Sequence, residues 1–105
     1  MRIFFDQGVP VPLRRHLPGH TIDTAYERGW STLKNGNLTD AVSRDGYDVL
    51  VSTDQNLKHQ QNLAGRKFAF PVLLSTSWPQ IELRVADIQK SIATIKAADY
   101  VELTI

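Results

Sequence analysis

Cysteine is absent from the 105 residues, which excludes disulfides, thiolate catalysis and Cys-ligated zinc. An excess of one charge is also lacking. Lys plus Arg number 12 against 11 Asp plus Glu, so no broad basic surface is available to hold nucleic acid, and any basic patch is local. Long apolar runs are missing too. The longest, Phe68 to Leu74, contains Pro71 and is far shorter than the roughly 20 residues a membrane helix needs. The opening MRIFFDQ has one basic residue and a short apolar run before Asp6, too little for a secretory signal, and a cytoplasmic protein is expected. There is no Gly-rich phosphate loop, no G-x-S-x-G and no G-x-G-x-x-G, so nucleotide-binding and serine-hydrolase readings lack their mechanical parts. The remaining composition, 42% hydrophobic and 22% charged, describes one small globular domain over residues 1–105.

The apolar residues fall into short continuous runs separated by helical patterns. Ile3-Phe4-Phe5 reads as a strand buried on both faces and ends at Asp6. Pro10 and Pro12 suit the start of a short helix over Val11 to Leu17, stopped by Pro18-Gly19. His20 to Ala25 is a second strand, followed by a turn at Gly29. Asn37 is placed to cap a helix over Leu38 to Arg44, with Asp40 in its first turn and Gly46 closing it. Asp48 to Thr53 is a third strand, and it too ends at an aspartate, Asp54. A short helix from Asn56 to Ala64 and a strand from Lys67 to Leu74 follow, with Pro71 marking a bend, a bulge or an N–H the sheet does not need. Ile81, Val85, Ile88, Ile92 and Ile95 recur at helical spacing and predict one helix from Pro79 to Ala98. Tyr100 to Ile105 reads as a last edge strand. Alternating strands and helices predict an α/β fold, a three-layer α/β/α sandwich with a mainly parallel central sheet.

Functional crevices in such sheets lie beyond the C-terminal ends of the strands. If the first and third strands are neighbours, Asp6 and Asp54 converge at that rim, and Asp40 approaches it from the intervening helix. Carboxylates clustered there suit a hard dication, Mg²⁺ or Mn²⁺, and metal-assisted phosphodiester cleavage. Each acid also has a plain structural role open to it: Asp54 as a helix cap, Asp40 as a charge at a helix N-terminus, Asp6 as the anchor of the loop before Pro10. The amide-rich stretch after Asp54 offers either Gln60 or Gln61, on the turn above Asn56 and Leu57, to the rim, or else a solvated helix face. Lys34, Lys58, His59, Arg14 and Arg15 are the basic residues near it, with solvated surface as the alternative role. His16, His20 and His59 have no zinc-ligand spacing. Trp30 and Trp78 are expected to seat helices on the sheet, or to stack a base.

Phe5-Asp6-Gln-Gly-Val-Pro10, then Gly29-Trp30 with Leu33-Lys34-Asn35-Gly36, and above all Thr53-Asp54-Gln-Asn-Leu-Lys-His-Gln-Gln-Asn-Leu-Ala-Gly65-Arg66, resemble the short PIN-like proteins of the DUF5615 group. The resemblance runs in order from Met1 to about Leu74. It implies a minimal relative of the PIN-domain ribonucleases: a PIN-like sheet, Mg²⁺ or Mn²⁺ as cofactor, RNA as substrate, and the toxin half of a bacterial toxin–antitoxin pair. It further implies an antitoxin protein as partner and homodimerisation, for which the outer side of the helix from Pro79 to Ala98 is one candidate surface. Asp6 matches the family's first acid and Asp54 the acid after the strand ending in Thr53. The chain departs from the pattern at Asn37 and Asn56, where relatives carry carboxylates, and amides in those places weaken dication binding. The site expected on this basis has Asp6 and Asp54 on the metal, Asp40 one helical turn from Asn37 as a further acid, and Lys34, Asn37, Asn56 and Gln60 toward the substrate. The amides also fit another function, a PIN-like module that has lost catalysis and binds a partner protein or RNA. A receiver-type phosphoacceptor domain fits less well, because Asp6 has no acidic neighbour and no Lys follows Leu74 before the last helix.

Overall fold

The structure, a computed structural model, describes residues 1–33, 35–55 and 66–105. Its elements in chain order are β1 (Arg2–Phe5), a 3₁₀ helix (Val11–His16), β2 (Thr21–Thr24), α1 (Ala25–Arg28), α2 (Asn35–Arg44), β3 (Val49–Val51), β4 (Phe70–Leu73), α3 (Trp78–Glu82), α4 (Val85–Thr94) and β5 (Tyr100–Leu103). All strand pairs are parallel. β1 lies between β2 and β3, with Ile3 opposite Ile22 on one side and Val49 on the other. β4 pairs with β5, Phe70 opposite Tyr100, and parallel bridges at Val49–Ala69 and Ser52–Val72 join that pair to β3.

Pro71 explains why the β3–β4 contact consists of separate bridges. Ala69 and Leu73 donate their N–H groups to Asp48 and Ser52 on the β3 side, while Phe70 and Leu74 donate to Asp99 and Leu103 on the other. The alternation turns the nitrogen of Pro71 toward β3, where it has no hydrogen to give. The proline is thus inside the sheet rather than at a free edge, and it removes one rung.

Successive residues of β1 point to opposite faces, as strand geometry requires. Ile3 and Phe5 pack with Leu13, Leu17, Ile81, Ile88 and Ile92 in one buried cluster. Phe4 packs with Ala25, Leu38, Val42 and Leu50 in the other. The 3₁₀ helix, α3 and α4 therefore contribute to one face, and α1 and α2 to the opposite one. Trp30 is seated on the sheet as its place in the chain suggested, its ring 5.3 Å from that of Phe4, and Trp78 packs at the edge of the first cluster beside His16.

Three expectations change. α1 was not anticipated: Thr24 caps it, accepting the Glu27 N–H while the Glu27 carboxylate accepts the Thr24 N–H, and Gly29, at φ 70°, takes the left-handed turn that ends it. α2 starts at Asn35, with Gly36 inside the first turn and its carbonyl accepting the Thr39 hydroxyl. Asn37 is thus a helical residue and not the cap, and Asp40 belongs to the second turn. The helix expected from Pro79 to Ala98 is two helices, α3 and α4, separated at Leu83 and Arg84 and ended at Thr94. Ile81, Ile88 and Ile92 stay buried on both sides of the break, because apolar spacing records which side faces the core and not whether the backbone bonds are continuous. The helix expected over Asn56 to Ala64 lies outside the described residues.

Arg28 ties the second cluster together. Its guanidinium stacks on Trp30 at 4.3 Å, donates to the Tyr47 hydroxyl at 2.6 Å and pairs with Asp45. Tyr47 in turn donates to Asp23 at 2.6 Å. Burial, and then that contact with Asp23, push the Tyr47 hydroxyl above its usual range, and the bond to Asp45 raises Arg28 further.

Candidate functional site

β1 and β3 run side by side, and their ladder continues one step past both strands: the Asp6 N–H donates to the Val51 carbonyl at 2.9 Å. Because Phe5 is opposite Val51, Asp6 stands level with Ser52, and Asp54 lies two residues further out. The Ser52 hydroxyl, fully buried, donates to Asp6 Oδ2 at 2.9 Å and accepts the Asp54 N–H at 3.0 Å. One serine thus binds the carboxylate of the first acid and the backbone of the second. This is the rim where the chain leaves β1 toward β2 on one side, with β3 on the other, the kind of switch point at which open α/β sheets bind ligands.

The loop after β1 is held from within. Asp6 Oδ1 accepts the Gln7 N–H at 2.7 Å, and its carbonyl accepts the Val9 N–H at 3.0 Å. The structural role considered for Asp6, as loop anchor, is therefore real. It still leaves ligand capacity, because an ionised carboxylate has about four lone-pair sites and two are used here. Gly8 lets this loop press against the next: a Cβ there would stand 2.2 Å from Thr53 Oγ1.

Asp54 has an exposed side chain, and its charge is felt on the β5 side as well. The Tyr100 hydroxyl, which donates to Glu102 at 2.9 Å, is pushed up to about 12 by burial first, then by Glu102 and by the Asp54 carboxylate. Asp40 is engaged elsewhere, its carboxylate 2.8 Å from the Arg66 guanidinium. Asn37 lies exposed in the first turn of α2. Lys34, Asn56 and Gln60 lie outside the described residues, as do Lys58, His59 and Gln61. Arg14 pairs with Glu27, His16 packs against the Trp78 ring, and the His20 Nδ1 is 3.2 Å from the terminal amine. Among the described residues no three acids or histidines form a group able to hold a metal ion.

An open pocket of about 140 Å³ adjoins the rim, with Asp6, Gln7, Val11, Thr24, Tyr26 and Ser31 among its walls. Sequence reasoning missed three of the residues that shape this region. Ser52 is recoverable from the strand register, since pairing β1 with β3 in their observed alignment puts it beside Asp6. Tyr26 sits inside the Thr24-x-x-Glu27 capping-box spacing, which marks a helix start where only a turn was expected. Gly8 belongs to the motif that follows Phe5, but its packing role is hidden because it depends on a residue 45 positions along the chain. Comparison with family models, curated proteins and solved structures finds no match to the chain.

Proposed function

We propose that the protein is a small PIN-like ribonuclease, folded as a three-layer α/β/α sandwich, that cleaves RNA phosphodiester bonds with Mg²⁺ or Mn²⁺ and acts as the toxin of a toxin–antitoxin pair. The observation that carries this reading is the Ser52 hydroxyl, which holds Asp6 and the backbone of Asp54 together at the rim between β1 and β3. The donors suit the ion. Mg²⁺ keeps several waters and is commonly held by one or two protein carboxylates plus substrate phosphates, the donors that Asp6 and Asp54 would supply. When bound, the dication supplies an activated water and charge stabilisation at the leaving oxygen.

The chain's own residues have distinct parts in this scheme. Ser52 and the Gln7 N–H fix the Asp6 carboxylate and leave it lone pairs for a ligand. Asp54, exposed, adds the second charge. Lys34 contacts a substrate phosphate, and Asn37, Asn56 and Gln60 contribute neutral polar contacts. The Arg66 pair leaves Asp40 a supporting role in the charge balance rather than a place on the ion. Near-neutral overall charge agrees with this chemistry, since a dication at the rim, and not a basic surface, draws in the phosphate.

Cleavage of single-stranded RNA in Mn²⁺ by the wild type, Asp6→Asn and Asp54→Asn tests the proposal. Activity is expected in the wild type and loss of at least 100-fold in each variant; equal activity in all three would trace the signal to contamination. The pairing of Asp40 with Arg66 and the amide at Asn37 favour a second reading, a PIN-like module that binds RNA or protein without cutting. Metal titration separates the two. At 100 times its dissociation constant a dication stabilises the fold by about 2.7 kcal/mol, and no melting shift in millimolar Mg²⁺ or Mn²⁺ leaves the binding module as the better description.

A further inference from the structure

Two large apolar side chains flank the pocket at the rim while remaining in solvent: Tyr26, 86% exposed, and Val11, 55% exposed. Tyr26 is not loosely held. α1 is fixed at one end by the reciprocal Thr24–Glu27 capping bonds and at the other by the Gly29 turn, and the Arg14 guanidinium grips the Glu27 carboxylate from the 3₁₀ helix. The phenol ring is therefore presented outward from a braced turn, next to the pocket that contains Asp6.

The lining suggests what the ring faces. Among the described residues of the pocket wall Asp6 alone is charged, so that wall itself offers a phosphate no direct cationic contact. Gln7 and Ser31 offer an amide and a hydroxyl, each able to donate and to accept. An open pocket with an aromatic side chain and neutral two-way hydrogen-bonding groups in its wall suits a flat uncharged heterocycle. A protein partner is less well matched, because stable interfaces bury about 800 Å² per side, and a single aromatic with one valine around a 140 Å³ recess supplies little of that. One nucleobase needs only one ring.

We propose that Tyr26 is the stacking platform of a nucleobase subsite, with Gln7 and Ser31 at the base edge, which seats a nucleotide of single-stranded RNA next to the phosphate that Asp6 addresses. The inference rests on the ribonuclease reading for its substrate class but not for cleavage itself. Because the amide and hydroxyl read either hydrogen-bonding sense, the subsite is tolerant of base identity.

The experiment titrates a fluorescein-labelled single-stranded RNA octamer with wild type, Tyr26→Phe and Tyr26→Ala, by fluorescence anisotropy in EDTA and again in Ca²⁺. Tyr26→Ala is expected to weaken binding about 5- to 100-fold, the range that base–aromatic stacking spans, and Tyr26→Phe to stay within about 2-fold. A second arm uses octamers with single abasic positions. One of them should bind wild type as weakly as the intact octamer binds Tyr26→Ala, with no added loss on the Ala variant. Unchanged affinity in Tyr26→Ala, confirmed folded by circular dichroism, overturns the subsite and assigns the Tyr26–Val11 patch to a protein contact, while Mn²⁺-dependent cleavage lost in Asp6→Asn would leave the ribonuclease reading intact. Tyr26-dependent RNA binding without any cleavage sustains the subsite and removes the nuclease. Absence of RNA binding by the wild type in both buffers removes the subsite.

Discussion

Gly8 has no Cβ, and Thr53 occupies the place one would take, its Oγ1 2.2 Å from where that carbon would stand. The loops that follow β1 and β3 are fitted together at this point, one residue beyond Gln7 and one before Asp54. Gly8→Ala is therefore expected to destabilise the fold by about 1–3 kcal/mol, the usual cost of forcing a methyl group into a filled space. Thr53→Ala removes the obstructing hydroxyl and should recover most of that loss in the double variant. Urea denaturation of the four proteins in the cycle measures the coupling, and additive effects would show that the two loops do not constrain each other.

Ser52→Ala removes a buried hydroxyl that serves two partners at once. The Asp54 N–H loses its acceptor and Asp6 Oδ2 its donor, and the expected cost is about 1–3 kcal/mol. Ser52→Thr keeps the hydroxyl and should keep the Mn²⁺-dependent cleavage expected of the wild type better than Ser52→Ala at a temperature where both are folded. Activity that follows stability alone, with no advantage to the hydroxyl, would mean that Ser52 does not orient Asp6.

Arg28→Lys keeps the charge and loses the planar fork. An ammonium group cannot stack on Trp30 while also donating to Tyr47 and pairing with Asp45. A loss of about 1–2 kcal/mol is expected from the forfeited stacking and the weakened bond to the half-buried network. Chemical denaturation followed by tryptophan fluorescence reads it directly, since Trp30 reports its own environment.

Alkaline conditions should weaken the protein through Tyr100. Its hydroxyl is pushed up to about 12 from an ordinary value of 10, so above pH 10 the unfolded chain gives up its proton while the folded chain still holds it. Stability tied to this group is complete below pH 10 and is lost as pH rises toward 12. Tyr100→Phe has no proton to release and should show a shallower fall in melting temperature over that interval. Part of the fall should persist, because the Tyr47 hydroxyl is shifted in the same direction.

The parts of this fold most open to reading were those where local pattern and tertiary role coincide. Ile3-Phe4-Phe5 and Val49-Leu50-Val51 are buried completely or nearly so, and an unbroken apolar run needs no knowledge of its partner to be seen as an inner strand. The aspartates that follow them came with those strands. What stayed hidden depended on register or on backbone detail. The pairing of β1 with β3 makes Ser52, two residues before the conspicuous Asp54, the neighbour of Asp6. The break at Leu83 leaves the apolar spacing of α3 and α4 undisturbed, and the early start of α2 moved Asp40 a turn away from the helix end and into reach of Arg66.

The placement of β1 between β2 and β3 also bears on how the chain folds. Ile3 finds Ile22 through a short intervening stretch, but it must wait for Val49 before its second side is covered. Closing that longer loop carries an entropic cost before any contact rewards it. During synthesis, at about 5–20 residues per second, β1 would therefore spend seconds with one ladder of backbone groups open. The rim that carries Asp6 and Ser52 is assembled only when that interval ends, so the candidate site and the closing of the central sheet are completed in one event.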